Sequence, residues 1–240
     1  SLNAILVFAQ LMETGLPEPA TAQACSIQQL RKAGWYLLAL INEILELALI
    51  ESGRLSLSIE PVSLNEVLTD CQTMFQPQAA SRCVRLQFPP VKPLCFVAAD
   101  RTRLKQVFVN LLSNAIKYNR DHGSVEVSFK AIGAERLQIS VRDTGQGLSA
   151  QKLSQLFQPF NRLGQEDGAE EGTGIGLVVS KRLVELMGGD ICALRTVGVG
   201  SEFWFELNLA EPHVVALDAD PTDTASLALS GDGVALRTLL

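Results

Sequence analysis

Four polar side chains on one predicted helix, Gln106, Asn110, Asn114 and Lys117, are spaced by four, four and three residues, which aligns them on a single face. The opposite stripe, Leu104, Val107, Phe108, Leu111, Leu112 and Ala115, is apolar. Amide oxygens can hold a hard cation and an ammonium can neutralise an anion, yet from this stripe alone a solvated surface is the simpler reading. Further on, Asp143-Thr-Gly-Gln-Gly147 follows an apolar alternation ending at Val141. It places a carboxylate acceptor at a strand end with glycines that let a ligand approach the backbone, although an Asp-initiated turn would look the same. Gly172-Thr-Gly-Ile-Gly176 opens a helix running through Val178 and Leu183, where free N–H groups and the positive dipole end favour an anion. It is neither a P-loop, since no Gly-Lys-Ser/Thr follows, nor the G-x-G-x-x-G of dinucleotide folds.

Together these stretches are specific. An Asn-x-x-x-Asn-x-x-Lys-Tyr helix, then Asp-x-Gly-x-Gly, then Phe157-Gln-Pro-Phe160 with Arg162, then Gly-Thr-Gly-Ile-Gly-Leu, in that order, resembles the ATP-binding domain of sensor histidine kinases. They are similar to the N, G1, F and G2 boxes of that family within the GHKL ATPase superfamily, and Gly198-Val-Gly-Ser-Glu-Phe203 resembles its later glycine signature. Residues 1–10 resemble the stretch just after the phosphoacceptor histidine of the family's dimerisation domain. Two departures stand out. Ser1 replaces the usual Pro, and the resemblance implies that the acceptor histidine and its neighbouring acid lie a few residues before Ser1; neither His122 nor His213 fits that role.

The resemblance implies a set of roles. Asp143 would accept from the adenine amino group, with Gly145 and Gly147 shaping the pocket floor. Asn114 would offer its amide oxygen to Mg²⁺, and Lys117 and Arg162 would neutralise the phosphates of ATP. Tyr118 would pack near the nucleotide, while Gly172, Thr173, Gly174, Gly176 and Leu177 would close the phosphate side. Leu156, Phe157 and Phe160 would anchor a lid by apolar packing. Asn110 occupies the position where hydrolytic relatives place a Glu that activates water. An amide cannot take that proton, so hydrolysis should be slow and phosphoryl transfer to a histidine favoured. The segment 162–171, with two internal glycines and four carboxylates, has the composition of a lid whose closure over polyphosphate would need Mg²⁺.

The positioning elements follow from periodicity. Leu2, Ile5, Leu6, Ala9 and Met12 recur at helical spacing before Gly15-Leu-Pro-Glu-Pro19, and a second helix is expected from about Thr21 to Ser52. Within it Ile27, Leu30, Gly34, Leu37, Ile41, Ile44 and Ala48 form a heptad seam, and Leu38, Leu40, Leu45 and Leu47 widen its apolar surface. Such a hairpin needs more than one neighbour, which a four-helix bundle formed by a homodimer supplies. From Leu55 strands alternate with helices: Leu55–Ile59, a helix near 64–80, Val84–Phe88, Cys95–Val97, a helix from an Asp100 N-cap to about Tyr118, and paired strands through Val125–Phe129 and Leu137–Val141. A helix after Gly176 and strands at Ile191–Leu194 and Phe203–Leu209 complete an α+β sandwich, which the resemblance implies is of the GHKL (Bergerat) type. The expected organisation is a hairpin over 1–54, an ATP-binding domain over 55–210 and a linker or tail over 211–240.

Composition agrees with a globular chain: 240 residues, 47% hydrophobic, net charge -6. No Lys/Arg cluster suggests nucleic acid or anionic lipid as a partner. The asparagine and two glutamates at 42, 43 and 46 interrupt the longest apolar stretch, Tyr36 to Ile50, so no spanning helix is expected and the location read is cytoplasmic, with a parent that could be membrane-anchored. Five scattered cysteines without a Cys-x-x-Cys pair read as reduced, buried thiols. The function expected is the catalytic core of a dimeric sensor histidine kinase, passing phosphate on to the aspartate of a response-regulator receiver domain. The end of the tail, 234–240, resembles the approach to such a domain in the same chain. A nucleotide-binding pseudokinase scaffold and a stand-alone ATPase are the alternatives, the latter disfavoured by Asn110.

Overall fold

The computed structural model describes residues 2–14, 21–89, 95–149, 153–161, 172–196 and 199–211. Two helices, α1 (Leu2–Thr14) and α2 (Thr21–Glu51), form the hairpin. Leu6 lies directly over Gly34, so close that a Cβ there would meet Leu6 Cδ2 at 2.6 Å. The smallest side chain at this seam position is what lets the two helices touch. Helix α2 stops where the N–H of Arg54 bonds the Leu49 carbonyl at 3.1 Å. The stretch Gln23–Glu51 is long enough to cross a membrane and contains an 18-residue window with a mean hydropathy of 1.6, more apolar than the sequence expectation allowed. Its glutamates, however, are engaged by the rest of the chain, as described below.

The second part is a seven-stranded mixed sheet with the order β1-β3-β7-β5-β4-β2, and β6 pairing with β7. The strands are β1 (Glu60–Ser63), β2 (Arg85–Gln87), β3 (Phe96–Ala99), β4 (Ser124–Ile132), β5 (Arg136–Asp143), β6 (Asp190–Thr196) and β7 (Gly200–Ala210). Among the described residues three helices accompany it: α3 (Leu64–Ser81), α4 (Arg101–Lys117) and α5 (Gly176–Leu186). The first strand begins five residues later than the apolar alternation at 55–59 predicts. Leu55 and Leu57 pack on the core from an extended segment without a ladder, because burial on one side suffices for that pattern without a hydrogen-bonded neighbour.

Alternation in the central strands drives the layering. Leu137, Ile139 and Val141 on β5, with Phe203, Phe205 and Leu207 on β7, are all buried, and Ile139 faces Phe205 across the ladder. Phe205 meets Phe108 of α4 edge-on with centroids 5.5 Å apart, an arrangement worth about 0.5–1.5 kcal/mol beyond its area. Helix α4 starts at the predicted cap: Asp100 Oδ1 accepts from the Arg103 N–H at 3.1 Å.

The hairpin is not independent of this sandwich. Leu47 and Ile50 of α2 are buried in the same core cluster, and Leu40 packs against it. Burying a side chain of this size fully contributes roughly 1.5–3 kcal/mol, so the last turns of α2 are fixed to the domain. The cysteines depart from the expectation in one respect. None of the five is in a disulfide, but Cys71 alone is buried, whereas Cys25 and Cys83 are exposed. Burial pushes the Cys71 thiol up to about 11.

Candidate functional site

The polar stripe of α4 does not face solvent. Gln106 Nε2 donates to Glu46 Oε2 of α2 at 2.5 Å, and Arg103 also pairs with Glu46. One turn on, Asn110 Nδ2 donates to the Gly176 carbonyl at 3.0 Å and to Ser180 Oγ at 3.1 Å. Asn110 thus ties α4 to the first turn of α5. Lys117 Nζ sits 4.8 Å from the centroid of the Tyr118 ring. The solvated-surface reading is therefore overturned for Gln106, Asn110 and Lys117, which meet α2, α5 and the loop before α5 respectively.

Asp143 ends β5 with 6% exposure. Its Oδ1 accepts the Gly145 N–H at 2.8 Å and the Ser201 N–H at 3.3 Å. Burial raises its pKa, and the two backbone donors oppose that shift. Gly145 passes so close to α4 that a Cβ would lie 2.4 Å from the Tyr118 carbonyl oxygen and 2.9 Å from Asp143 Oδ1. A side chain here would fill the cleft beside the carboxylate, which is the reason for glycine. Gly147 turns the chain away with a φ of 72°.

At the other end, the loop before α5 faces the same helix. A Cβ on Gly172 would lie 2.9 Å from Lys117 Nζ and 3.5 Å from Tyr118 Oη, so the ammonium, the phenol and the glycine backbone converge. Gly174, with a φ of 74°, packs on the backbone of Phe160 and Asn161, and its carbonyl accepts the Phe160 N–H at 3.2 Å. Leu156 is buried and Phe157 packs on the core. Phe160 departs from the apolar-anchor expectation: its ring is 60% exposed and it is held through its backbone. Leu177 packs against the core beneath the loop.

Asp143 with Gly145, Tyr118 with Lys117, Asn114, Asn110, and Gly172 through Leu177 thus gather around the end of α4. Arg162, the acidic segment 162–171 and Gly198 lie outside the described residues. Sequence reasoning missed the contribution of α2. Thr173 Oγ1 donates to Glu43 Oε2, and Tyr36 Oη donates to the Gly172 carbonyl at 3.4 Å. The only signal was the pair of glutamates interrupting an apolar run. Burial raises the Glu43 carboxyl above its ordinary range, partly offset by the Thr173 hydroxyl, with Glu46 adding a smaller upward push.

A buried carboxylate beside a glycine cleft at one end, with an ammonium and a glycine-rich helix start at the other, suits a ligand with a donor-bearing ring and an anionic tail. Among the described residues no cluster of three metal-ligating side chains exists. A hard ion with one protein oxygen and the ligand's phosphates still fits, because Mg²⁺ keeps several waters.

Residues 99–211 match the family described as histidine kinase-, DNA gyrase B-, and HSP90-like ATPase. Over 226 residues the chain is 41% identical to the sensor histidine kinase GacS of Pseudomonas protegens, a span covering 90% of this chain and 24% of that protein. Residues 99–211 are an ATPase domain of that family. The chain also resembles, at 30% identity and a TM-score of 0.75, full-length ShkA in complex with AMPPNP, with 88% of this chain and 43% of that one covered. The catalytic domain of histidine kinase ThkA matches 63% of this chain and 96% of its own, at 26% identity and a TM-score of 0.55. The chain spans about a quarter of the length of the first curated relatives it matches.

Proposed function

We propose that the chain is the catalytic core of a histidine kinase: it binds ATP with Mg²⁺ along the end of α4 and transfers the γ-phosphoryl group to a histidine, from which it passes to a receiver-domain aspartate in the same or another chain. The convergence of Lys117, Tyr118 and the Gly172 backbone opposite the buried Asp143 supports this reading most directly. Asp143 takes the adenine amino donor, its Oδ1 held by Gly145 and Ser201. Gly145 and Gly147 form the floor of the base cleft. Lys117 and Arg162 neutralise the phosphates, Tyr118 lies along the nucleotide, and Gly172, Thr173, Gly174, Gly176 and Leu177 close over the anionic end. Asn114 would supply the one protein oxygen for Mg²⁺, and the ion would neutralise the charge of the phosphates.

Asn110 decides between transfer and hydrolysis. Its NH₂ group is committed to Gly176 and Ser180, and its oxygen is no base, so it positions the loop rather than activating water. An imidazole nitrogen, already nucleophilic when neutral, needs no such activation. The site belongs on the cytoplasmic side, where ATP is available. Calorimetry with a non-hydrolysable ATP analogue, with and without Mg²⁺, tests the assignment. We expect Mg²⁺ to tighten binding to the wild type and Asn114→Ala to abolish that gain; equal Mg²⁺ dependence in both would remove Asn114 from the metal site.

The hairpin supplies the second part of the proposal, a homodimer. Phe8 and Met12 of α1 and Leu30, Leu37, Ile41 and Ile44 of α2 are exposed, although four of them belong to the predicted seam. A second hairpin covering this face completes a four-helix bundle. Leu37→Asp with Ile41→Asp is expected to halve the mass measured by light scattering, because two buried carboxylates would lack partners. An unchanged mass would place the dimer contact elsewhere.

A further inference from the structure

Helix α2 grips the loop that the proposed function assigns to the nucleotide's anionic end. Three contacts come from one face: Tyr36 and Glu43 are seven residues apart, two helical turns, and Glu46 lies one turn further. Tyr36 Oη donates to the Gly172 carbonyl at 3.4 Å, and Thr173 Oγ1 donates to Glu43 Oε2. Glu46 holds the register by accepting from Gln106 at 2.5 Å and pairing with Arg103 of α4. Leu47 and Ile50 bury the helix against the domain just beyond.

A threonine hydroxyl has one proton to donate. While it is donated to Glu43, it is unavailable to a phosphate oxygen, and the carboxylate places negative charge at the mouth of a site meant for polyphosphate. Like charges a few ångströms apart in a half-buried setting repel far more than in water. We propose that Glu43 of the dimerisation hairpin is an internal competitor of the nucleotide for Thr173, so that nucleotide affinity is set by a residue outside the ATP-binding domain. Binding then requires the Thr173 hydroxyl to leave Glu43, and any displacement of α2 that separates the pair raises affinity. The inference rests on the nucleotide site proposed above.

The test is a cycle of four proteins, all carrying the whole chain: wild type, Glu43→Ala, Thr173→Val and the double variant, titrated with AMPPNP and Mg²⁺. Glu43→Ala is expected to tighten binding about tenfold, an effect of order one charge-assisted hydrogen bond. Thr173→Val should weaken binding and shrink the benefit of removing Glu43. Unchanged or weaker binding by Glu43→Ala would overturn the competition, as would a full tenfold gain in the Thr173→Val background. If the folded wild type binds no nucleotide at all, the site assignment itself fails, which is a separate outcome.

Discussion

Asp143→Asn is expected to fold and to lose about a hundredfold in affinity for an ATP analogue. The reason lies in what already occupies Oδ1. Gly145 and Ser201 both donate to it, at 2.8 and 3.3 Å, and an asparagine can satisfy them only with its carbonyl oxygen. Its NH₂ group then faces the ligand, donor against the donor of the adenine amino group. Losing a charge-assisted bond costs about 1.5–3 kcal/mol, and the opposed donors add to it. The same geometry predicts a change of preference, because a purine with an oxo group in place of the amino group presents an acceptor. Inosine triphosphate should therefore bind Asp143→Asn better than ATP does. A variant that keeps both affinity and preference would remove Asp143 from the base pocket.

The raised pKa of Asp143 gives this site a pH signature with two opposite signs. Burial lifts the folded-state value above the ordinary 3.8. The folded protein therefore holds its proton more tightly than the unfolded chain, a stabilisation fully present below 3.8 that is lost as pH rises through the raised value. Nucleotide affinity moves the other way, falling as pH drops through the raised value, because a protonated oxygen is no longer purely an acceptor. Titrating affinity and thermal stability over the same pH range separates the two.

Gly200→Ala should be the most damaging small substitution in the domain. Its φ is 142°, a region that L side chains rarely enter, and a Cβ there would lie 1.9 Å from the Asp143 carbonyl oxygen. Strain and clash together are expected to cost about 3–5 kcal/mol, which for a chain of this size lowers Tm by roughly 10 °C. The backbone that would have to move is that of Asp143, so nucleotide binding should fall as well. Gly133→Ala is the control: it shares a positive φ, 64°, but has nothing within 4 Å, and should cost about 1 kcal/mol. Equal losses at the two positions would mean that conformation alone, and not the close approach to Asp143, makes Gly200 necessary.

Much of this was legible because local rules and global fold agree. The alternation in β4, β5 and β7 marked the strands, and Asp100 marked the start of α4, since burial on one face and an N-cap are both written in a few adjacent residues. Two glycines of the motifs were legible for a related reason. Close backbone approach at 145 and 174 leaves room for glycine alone, so the requirement surfaces as residue type. The strand expected at 55–59 failed because alternation reports burial, whereas strand status needs a hydrogen-bonding neighbour, and β3 offers one only to Glu60–Ser63. The cysteines at 25 and 83 failed because composition cannot distinguish a buried thiol from an exposed one.

The sequence by itself determined the ATPase domain, the α+β class and the order of the chemical groups along the chain, because these depend on residue types at short spacings. Only the tertiary structure decided which faces meet. It turned a polar stripe that could have been solvated surface into the anchor for α2 and α5, and it brought Glu43 and Tyr36 to Gly172 and Thr173 across 130 and 136 residues of chain. Partnerships at that separation depend on how one helix packs against a distant domain, a free energy summed over many buried contacts that no local pattern records.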